Sequence, residues 1–345
     1  MMAFSTVAAP SRRLQKALLR GLPEKRVTRQ KTLTANAIKF RMSGLPRLCP
    51  RMYGLMALEN ADIVEELGVD SVYTLGTGTA IHHQFQSSYL AKLGDVFQGW
   101  WRCTHCLHTV KGDRMPAGSM LSHRWTPKPK VECPNCGKPV ATKDTAEARG
   151  LVDWTDFEAV ELEFVNLEFS ITGHCDGILD WNFDPEEPSD LIEGLELKTI
   201  NPRGFAYVDP LEGGTPKVDH IAQCQGYLWG LEGTGIEQIR IMYVSKDFER
   251  PMTQTFAEHI VRYDAGSVGR IQAGLRRSRE QLREMDEWKQ SVADHPTPAP
   301  LCDRLHLCTK KSDPRTKYCP MRDQCFPKRP AKEKPPVKRA TKKAG

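Results

Sequence analysis

Three residues near the middle of the chain carry side chains suited to hydrolysis of a phosphodiester. Asp176 lies in "EFSITGHCDGILDW", and Glu196 and Lys198 lie in "LIEGLELKTI". Both stretches have the β-branched, alternating character of strands, and the turn-rich "NFDPEEPSD" separates them. A hairpin would bring the three together, and strand alternation puts Glu196 and Lys198 on one face. Two carboxylates so placed can bind a hard divalent cation such as Mg²⁺, with a phosphate oxygen and water completing the octahedron. The cation would polarise phosphorus and acidify the water, while the ammonium orients the nucleophile and offsets developing charge. Alone, a Glu-x-Lys pair is weak, because exposed strand faces often carry one.

Its company is more specific. Four features follow in order: "GTAIH", ending at His82; "GHCDGIL", with Asp176; "LELKT", with Glu196 and Lys198; and "QCQGY", from Gln223 to Tyr227. The ordered set resembles the RecB-like branch of the PD-(D/E)xK nuclease superfamily, and within it the CRISPR-associated and phage-encoded exonucleases that carry an iron–sulfur cluster. The resemblance covers roughly residues 38–98 and 146–327. It implies a restriction-endonuclease-like α/β core, a central mixed sheet flanked by helices. It further implies that His82, Asp176, Glu196 and the Leu197 carbonyl ligate Mg²⁺ or Mn²⁺, that Lys198 assists the attacking water, and that Gln223 and Tyr227 steer DNA. The i, i+4 spacing of the last two supports a shared helical face. His83 and His174 adjoin the same motifs as fallback ligands.

The activity implied is metal-dependent exonuclease cleavage of single-stranded DNA or frayed ends, 5′ to 3′, in recombination, repair or phage replication. A helicase, recombinase or single-strand-binding protein would be the matching partner. Two other readings stand beside it: a structure-specific endonuclease on the same core, and a non-catalytic DNA-binding or scaffold protein. The second would be expected to show damage at Asp176, Glu196 or Lys198, and all three are intact.

Eleven cysteines fall into two groups and some singles. Cys103-x2-Cys106 and Cys133-x2-Cys136, 26 residues apart, have the spacing of a zinc ribbon, since each pair can close a turn around one face of a tetrahedral metal. Near them Trp100, Trp101, Trp125, Lys111, Arg114, Arg124, Lys128 and Lys130 mix rings and cations, suited either to stacking bases or to covering a small module's core. Cys302, Cys308, Cys319 and Cys325 form the second group, and four thiolates accept either zinc or iron–sulfur. The resemblance favours a [4Fe–4S] cluster held by Cys49, Cys308, Cys319 and Cys325, with Cys302 as the alternative ligand. Cys175 and Cys224 read as small buried hydrophobes.

The formal charge of +6 is unevenly spread. Residues 1–31 and 328–345 each hold eight Lys/Arg and one acid, so the ends carry +14 and the body −8. Basic ends on an acidic body fit an enzyme that captures a polyanion and binds cations. The first 23 residues lack acids, which reads as a basic DNA-contacting arm; a mitochondrial targeting peptide shares that composition. Apolar content is ordinary for a folded chain, and no apolar run reaches the roughly 18 residues of a membrane span. Thiolate metal chemistry argues for a reducing cytoplasm, bacterial or phage-infected.

The elements needed to position these groups divide the chain into a basic arm (1–37), a first part of the nuclease core (38–98), a zinc-ribbon insertion (99–145), the main core (146–300), a cysteine cluster (301–327) and a disordered basic tail (328–345). Beyond the hairpin, "VDHIAQCQGYLWGL" reads as a helix capped by its Asp, "IRIMYVSKD" as a strand, and "VGRIQAGLRRSREQLREMDEWKQ" as a long charged helix. That order indicates mixed α/β.

Overall fold

The computed structural model describes residues 26–28, 40–47, 49–52, 65–67, 69–140, 156–247 and 254–291. Strands run in chain order as β1 (Arg26–Thr28), β2 (Phe40–Arg41), β3 (Glu65–Leu67), β4 (Phe97–Cys103), β5 (Thr109–Val110), β6 (Thr126–Pro127) and β7 (Phe157–Val160). They continue as β8 (Leu162–Asn166), β9 (Ile171–Cys175), β10 (Gly177–Asp180), β11 (Ile192–Ile200), β12 (Gln238–Ser245) and β13 (Phe256–Arg262). The three longest helices among the described residues are α1 (Val69–Gln84), α2 (Val218–Gly230) and α3 (Ala265–Ser291).

The main sheet has the order β13-β12-β11-β10-β4-β5, with β6 and β7 also paired to β4. It is mixed: β11 and β12 are parallel, joined by the crossover through α2 that parallel strands require, and its other pairs are antiparallel. A smaller sheet, β2-β9-β8, packs beside it, and β1 pairs with β3. The main core joins both sheets and the helices, with Phe40, Met42, Phe164, Tyr227, Ile239, Ile241 and Tyr243 at its centre. Helix α3 buries Val268, Leu275 and Leu282, spaced by seven, which gives one apolar stripe on an otherwise charged helix.

The expected hairpin is present as β10–β11, and α2, β12 and α3 lie where the patterning put them. Three local features differ. The helix expected to begin on an Asp cap has Lys217 at its N-cap without a side-chain cap, and Asp219 sits inside the first turn. Strand β13 was not marked as a strand by the sequence pattern. Most consequentially, "EFSITGHCDGILDW" is not one strand: β9 belongs to the small sheet and β10 to the main sheet, and Asp176 is the residue between them.

Trp100 and Trp101 are buried, and their indole N–H groups donate to the carbonyls of Arg124 (3.1 Å) and Thr126 (2.9 Å). They belong to the core rather than to a base-stacking surface. No helix among the described residues is long and apolar enough to cross a membrane. The basic arm's first 25 residues, the basic tail and Cys302, Cys308, Cys319 and Cys325 lie outside the described residues.

Candidate active site

Strand register assembles the carboxylates. Antiparallel pairing of Leu162 with Cys175 brings the preceding Glu161 beside the following Asp176. Pairing of Gly177 with Leu195 likewise brings Asp176 beside Glu196. Glu161 and Asp176 both stand where the chain changes sheets, since β7 pairs with β4 and β8 with β9. Helix α1 supplies His82 to the same point, and one donor atom from each of His82, Glu161 and Asp176 falls within 4.8 Å of the others.

Asp176 is 3% exposed and held on both oxygens. Its Oδ2 accepts the Leu197 N–H at 2.6 Å, and its Oδ1 accepts from Gln86 Nε2 at 3.0 Å and pairs with His82 Nε2 at 3.0 Å. Gln86 also reaches the Asp176 carbonyl at 3.4 Å. It lies on a π-helical turn, Phe85–Tyr89, that follows α1 and turns Gln86, Ser87 and Ser88 inward, a distortion often found at functional sites.

Glu196 is 2% exposed. Its Oε1 is paired with Lys198 Nζ and accepts from Gln223 Nε2 at 3.0 Å, while its Oε2 is buried with no hydrogen-bond partner. Gln223 also contacts the Tyr227 hydroxyl at 2.5 Å, and the Tyr227 ring stacks on Phe164 with centroids 5.7 Å apart. Both residues expected to steer DNA are therefore buried, and they brace the Glu196 carboxylate.

The electrostatics are those of crowded, desolvated acids. Burial, followed by the Asp176 charge, pushes the Glu196 carboxyl up to about 8 against the opposing pull of Lys198. Burial and the Asp176 charge also raise Glu161. For His82 burial favours the neutral ring, but the Asp176 hydrogen bond and the charges of Asp176, Glu161 and Glu196 prevail and raise it. Burial opposes the charged form of Lys198 as well, and Glu196 outweighs it. The Cys175 and Cys224 thiols and the Tyr227 hydroxyl are pushed well above their ordinary values, chiefly by burial. His82, Glu161 and Asp176 converge, while the orphaned Glu196 Oε2 stands on the neighbouring strand outside that 4.8 Å group. Crowded carboxylates with a buried, unsatisfied oxygen beside them suit a hard divalent cation, which would relieve the repulsion.

His83 is exposed, and His174, on β9, points toward Glu163 at 4.0 Å, so neither joins the cluster. Glu161 and Gln86 were not singled out by sequence reasoning. For Gln86 a signal was available, since it follows His82 by one helical turn. For Glu161 none was, because Glu158 and Glu163 flank it with equal claim. The thiolates Cys103, Cys106, Cys133 and Cys136 also converge, with ligand atoms within 4.8 Å of one another, and could hold a metal such as zinc. Cys49 is half-buried and free.

No protein-family model matches the chain, and no curated protein matches it. Among solved structures, it is similar to an alkaline exonuclease from Laribacter hongkongensis at 16% identity, covering 36% of this chain and 56% of that one, with a TM-score of 0.26. The same exonuclease in complex with dAMP matches at 12% identity over 76% of this chain and 96% of that one, with a TM-score of 0.38. A phage-related exonuclease from Haemophilus somnus matches at 15% identity over 44% and 67%, with a TM-score of 0.27.

Proposed function

We propose that this chain is a divalent-cation-dependent deoxyribonuclease that hydrolyses phosphodiester bonds from the ends of single-stranded DNA. The observation that carries the reading is the buried, unpartnered Glu196 Oε2, set beside Asp176 and sharing a strand face with Lys198. Natural cores seldom leave such an oxygen orphaned without a reason.

On this reading His82, Glu161, Asp176 and Glu196, with the Leu197 carbonyl, would hold Mg²⁺ or Mn²⁺. Such a cation supplies Lewis acidity toward the phosphate and lowers the pKa of an attacking water. The chain's own contribution is orientation. The Leu197 N–H and Gln86 fix the Asp176 carboxylate, while Gln223, braced by Tyr227, fixes one oxygen of Glu196 and leaves the other available. Lys198 keeps its proton beside Glu196, so its ammonium can orient water and offset negative charge as the phosphate is attacked. The 5′-to-3′ direction, work with a helicase, recombinase or single-strand-binding protein, and a [4Fe–4S] cluster on Cys49, Cys308, Cys319 and Cys325, with Cys302 as alternative, belong to the same proposal. They follow from the motif resemblance.

The test is degradation of end-labelled linear single-stranded DNA in Mg²⁺ or Mn²⁺, beside a circular strand, with Asp176→Ala as control. Release of label from the linear strand alone, lost in the variant, supports the exonuclease. Cleavage of the circle would transfer the site to an endonuclease, and an inactive wild type that still binds DNA would favour a binding protein.

A further inference from the structure

The four-cysteine cluster is built into the nuclease core. Its sulfur pairs lie 3.7 Å apart (Cys106 and Cys133) and 4.0 Å apart (Cys103 and Cys136). A tetrahedron with metal–sulfur bonds of about 2.3 Å has edges of about 3.8 Å, whereas a disulfide would draw the sulfurs to about 2.05 Å. The two halves repeat one geometry. Leu107 N–H donates to the Cys103 carbonyl at 2.9 Å and Gly137 N–H to the Cys133 carbonyl at 2.8 Å. Cys103 N–H donates to the His108 carbonyl at 2.9 Å and Cys133 N–H to the Lys138 carbonyl at 2.8 Å. The residue after each second cysteine has a positive φ, 59° at Leu107 and 65° at Gly137, a conformation that costs leucine and not glycine. A closed tetrahedron of thiolates selects zinc.

The position of the cluster in the fold extends its consequence. Cys103 ends β4, a strand of the main sheet whose first residue, Phe97, lies against Gly177. The approach is so close that a Cβ on Gly177 would meet Phe97 Cε2 at 2.3 Å. Gly177 follows Asp176 directly. Cys103 and Cys133 are buried in one apolar cluster with Phe97, Trp101, Leu179 and Leu195. The Leu195 carbonyl in turn accepts the Asp176 N–H at 3.2 Å. The thiolates and the Asp176 bend thus share a single packed layer, and interiors of this kind transmit displacement.

We propose that Cys103, Cys106, Cys133 and Cys136 hold one structural zinc ion, and that this ion, by anchoring the end of β4, positions Asp176 for its cation. The positioning claim rests on the cation site proposed above but not on cleavage. Metal content and Mn²⁺ affinity of the full chain test it, in wild type, Cys136→Ser, Cys136→His and Phe97→Leu. Cys136 is the exposed thiol, and histidine there keeps a zinc ligand.

Wild type should carry one more equivalent of zinc than Cys136→Ser. Mn²⁺ binding, read by electron paramagnetic resonance, should weaken by about tenfold or more in the serine variant, the scale of supporting-residue effects at metal sites. Cys136→His should retain both properties. Phe97→Leu should keep its zinc and still bind Mn²⁺ more weakly, which decides the positioning claim even where the serine variant fails to fold. Equal zinc in wild type and Cys136→Ser would overturn the site. Unchanged Mn²⁺ affinity in Phe97→Leu, or a wild type that binds no Mn²⁺, would overturn the positioning. Zinc-dependent Mn²⁺ binding without cleavage of any strand would sink the nuclease reading and leave this one standing.

Discussion

Glu161 and Asp176 face one another at the seam between the two sheets, each at the point where its strand pair changes partners. Neither is displayed by a regular strand, and the geometry comes from the register of β8 against β9. Two carboxylates in such a place repel, and burial intensifies the repulsion. Glu161→Gln removes one charge without changing shape. It should raise the Mn²⁺ or Mg²⁺ concentration for half-maximal cleavage by about an order of magnitude, while the metal-free protein melts no lower than wild type. An unchanged cation requirement would assign Glu161 to electrostatic background.

Gln86 should act through Asp176. Its amide cannot change protonation and reaches both the carboxylate and the carbonyl of that residue, whereas His82 titrates. Gln86→Met keeps volume and removes the donor. The cation requirement should rise about 10-fold or more, measured well below the melting temperature, and Gln86→Glu should be worse because it adds a fourth carboxylate. A purely structural role would lower the melting temperature and leave the cation titration in place.

Lys198→Met separates holding a cation from using it. Without the ammonium, Glu196 loses its counter-charge and remains a ligand, so Mn²⁺ affinity should be kept or increased. Cleavage should fall by about 10²–10³-fold, the cost of losing a charge aimed at the transition state. Parallel loss of Mn²⁺ binding and turnover would show that Lys198 serves assembly of the site instead.

The proton on Glu196 predicts a pH dependence with a definite sign. In the folded, metal-free chain this carboxyl is pushed up to about 8 from an ordinary 4.5, so the folded state binds the proton more tightly than the unfolded one. Its contribution to stability is complete below about 4.5 and is lost as pH rises toward about 8. A divalent cation replaces that proton, so the increase in melting temperature on adding Mg²⁺ should be larger at pH 8 than at pH 6. A larger shift at the lower pH would remove Glu196 from the cation site.

Legibility in the sequence followed the range of the interaction. Asp176, Glu196 and Lys198 could be read because a single hairpin joins them. Gln223 and Tyr227 could be placed on one helical face, but the spacing did not say that the face turns inward to Glu196. Glu161 was hidden among neighbouring acids until pairing with β9 selected it. Trp100 and Trp101 left base stacking and core packing both open in the sequence, because the strand they pair with, β7, lies about 60 residues further along (Trp100 opposite Val160, Trp101 opposite Ala159). The cysteine spacing disclosed four converging thiolates and was silent on the sheet they anchor.

Gly177, directly after Asp176, has no room for a side chain. Any side chain there must displace the Phe97 ring or the backbone of β4, because the nearest ring carbon is 2.3 Å from the Cβ position and the Gln98 carbonyl oxygen 3.1 Å. Gly177→Ala should cost about 1–3 kcal/mol, the usual penalty for overpacking, and should move Asp176 away from Glu161 and Glu196. Phe97→Leu removes the ring that obstructs the new methyl. The double variant should therefore be more stable than Gly177→Ala alone, a sign reversal that additive effects of two independent sites cannot give. Chemical denaturation of the four proteins measures the cycle. Strict additivity would mean that β4 and the Asp176 bend are not mechanically joined, and the route from the thiolates to the carboxylates would fail at this contact.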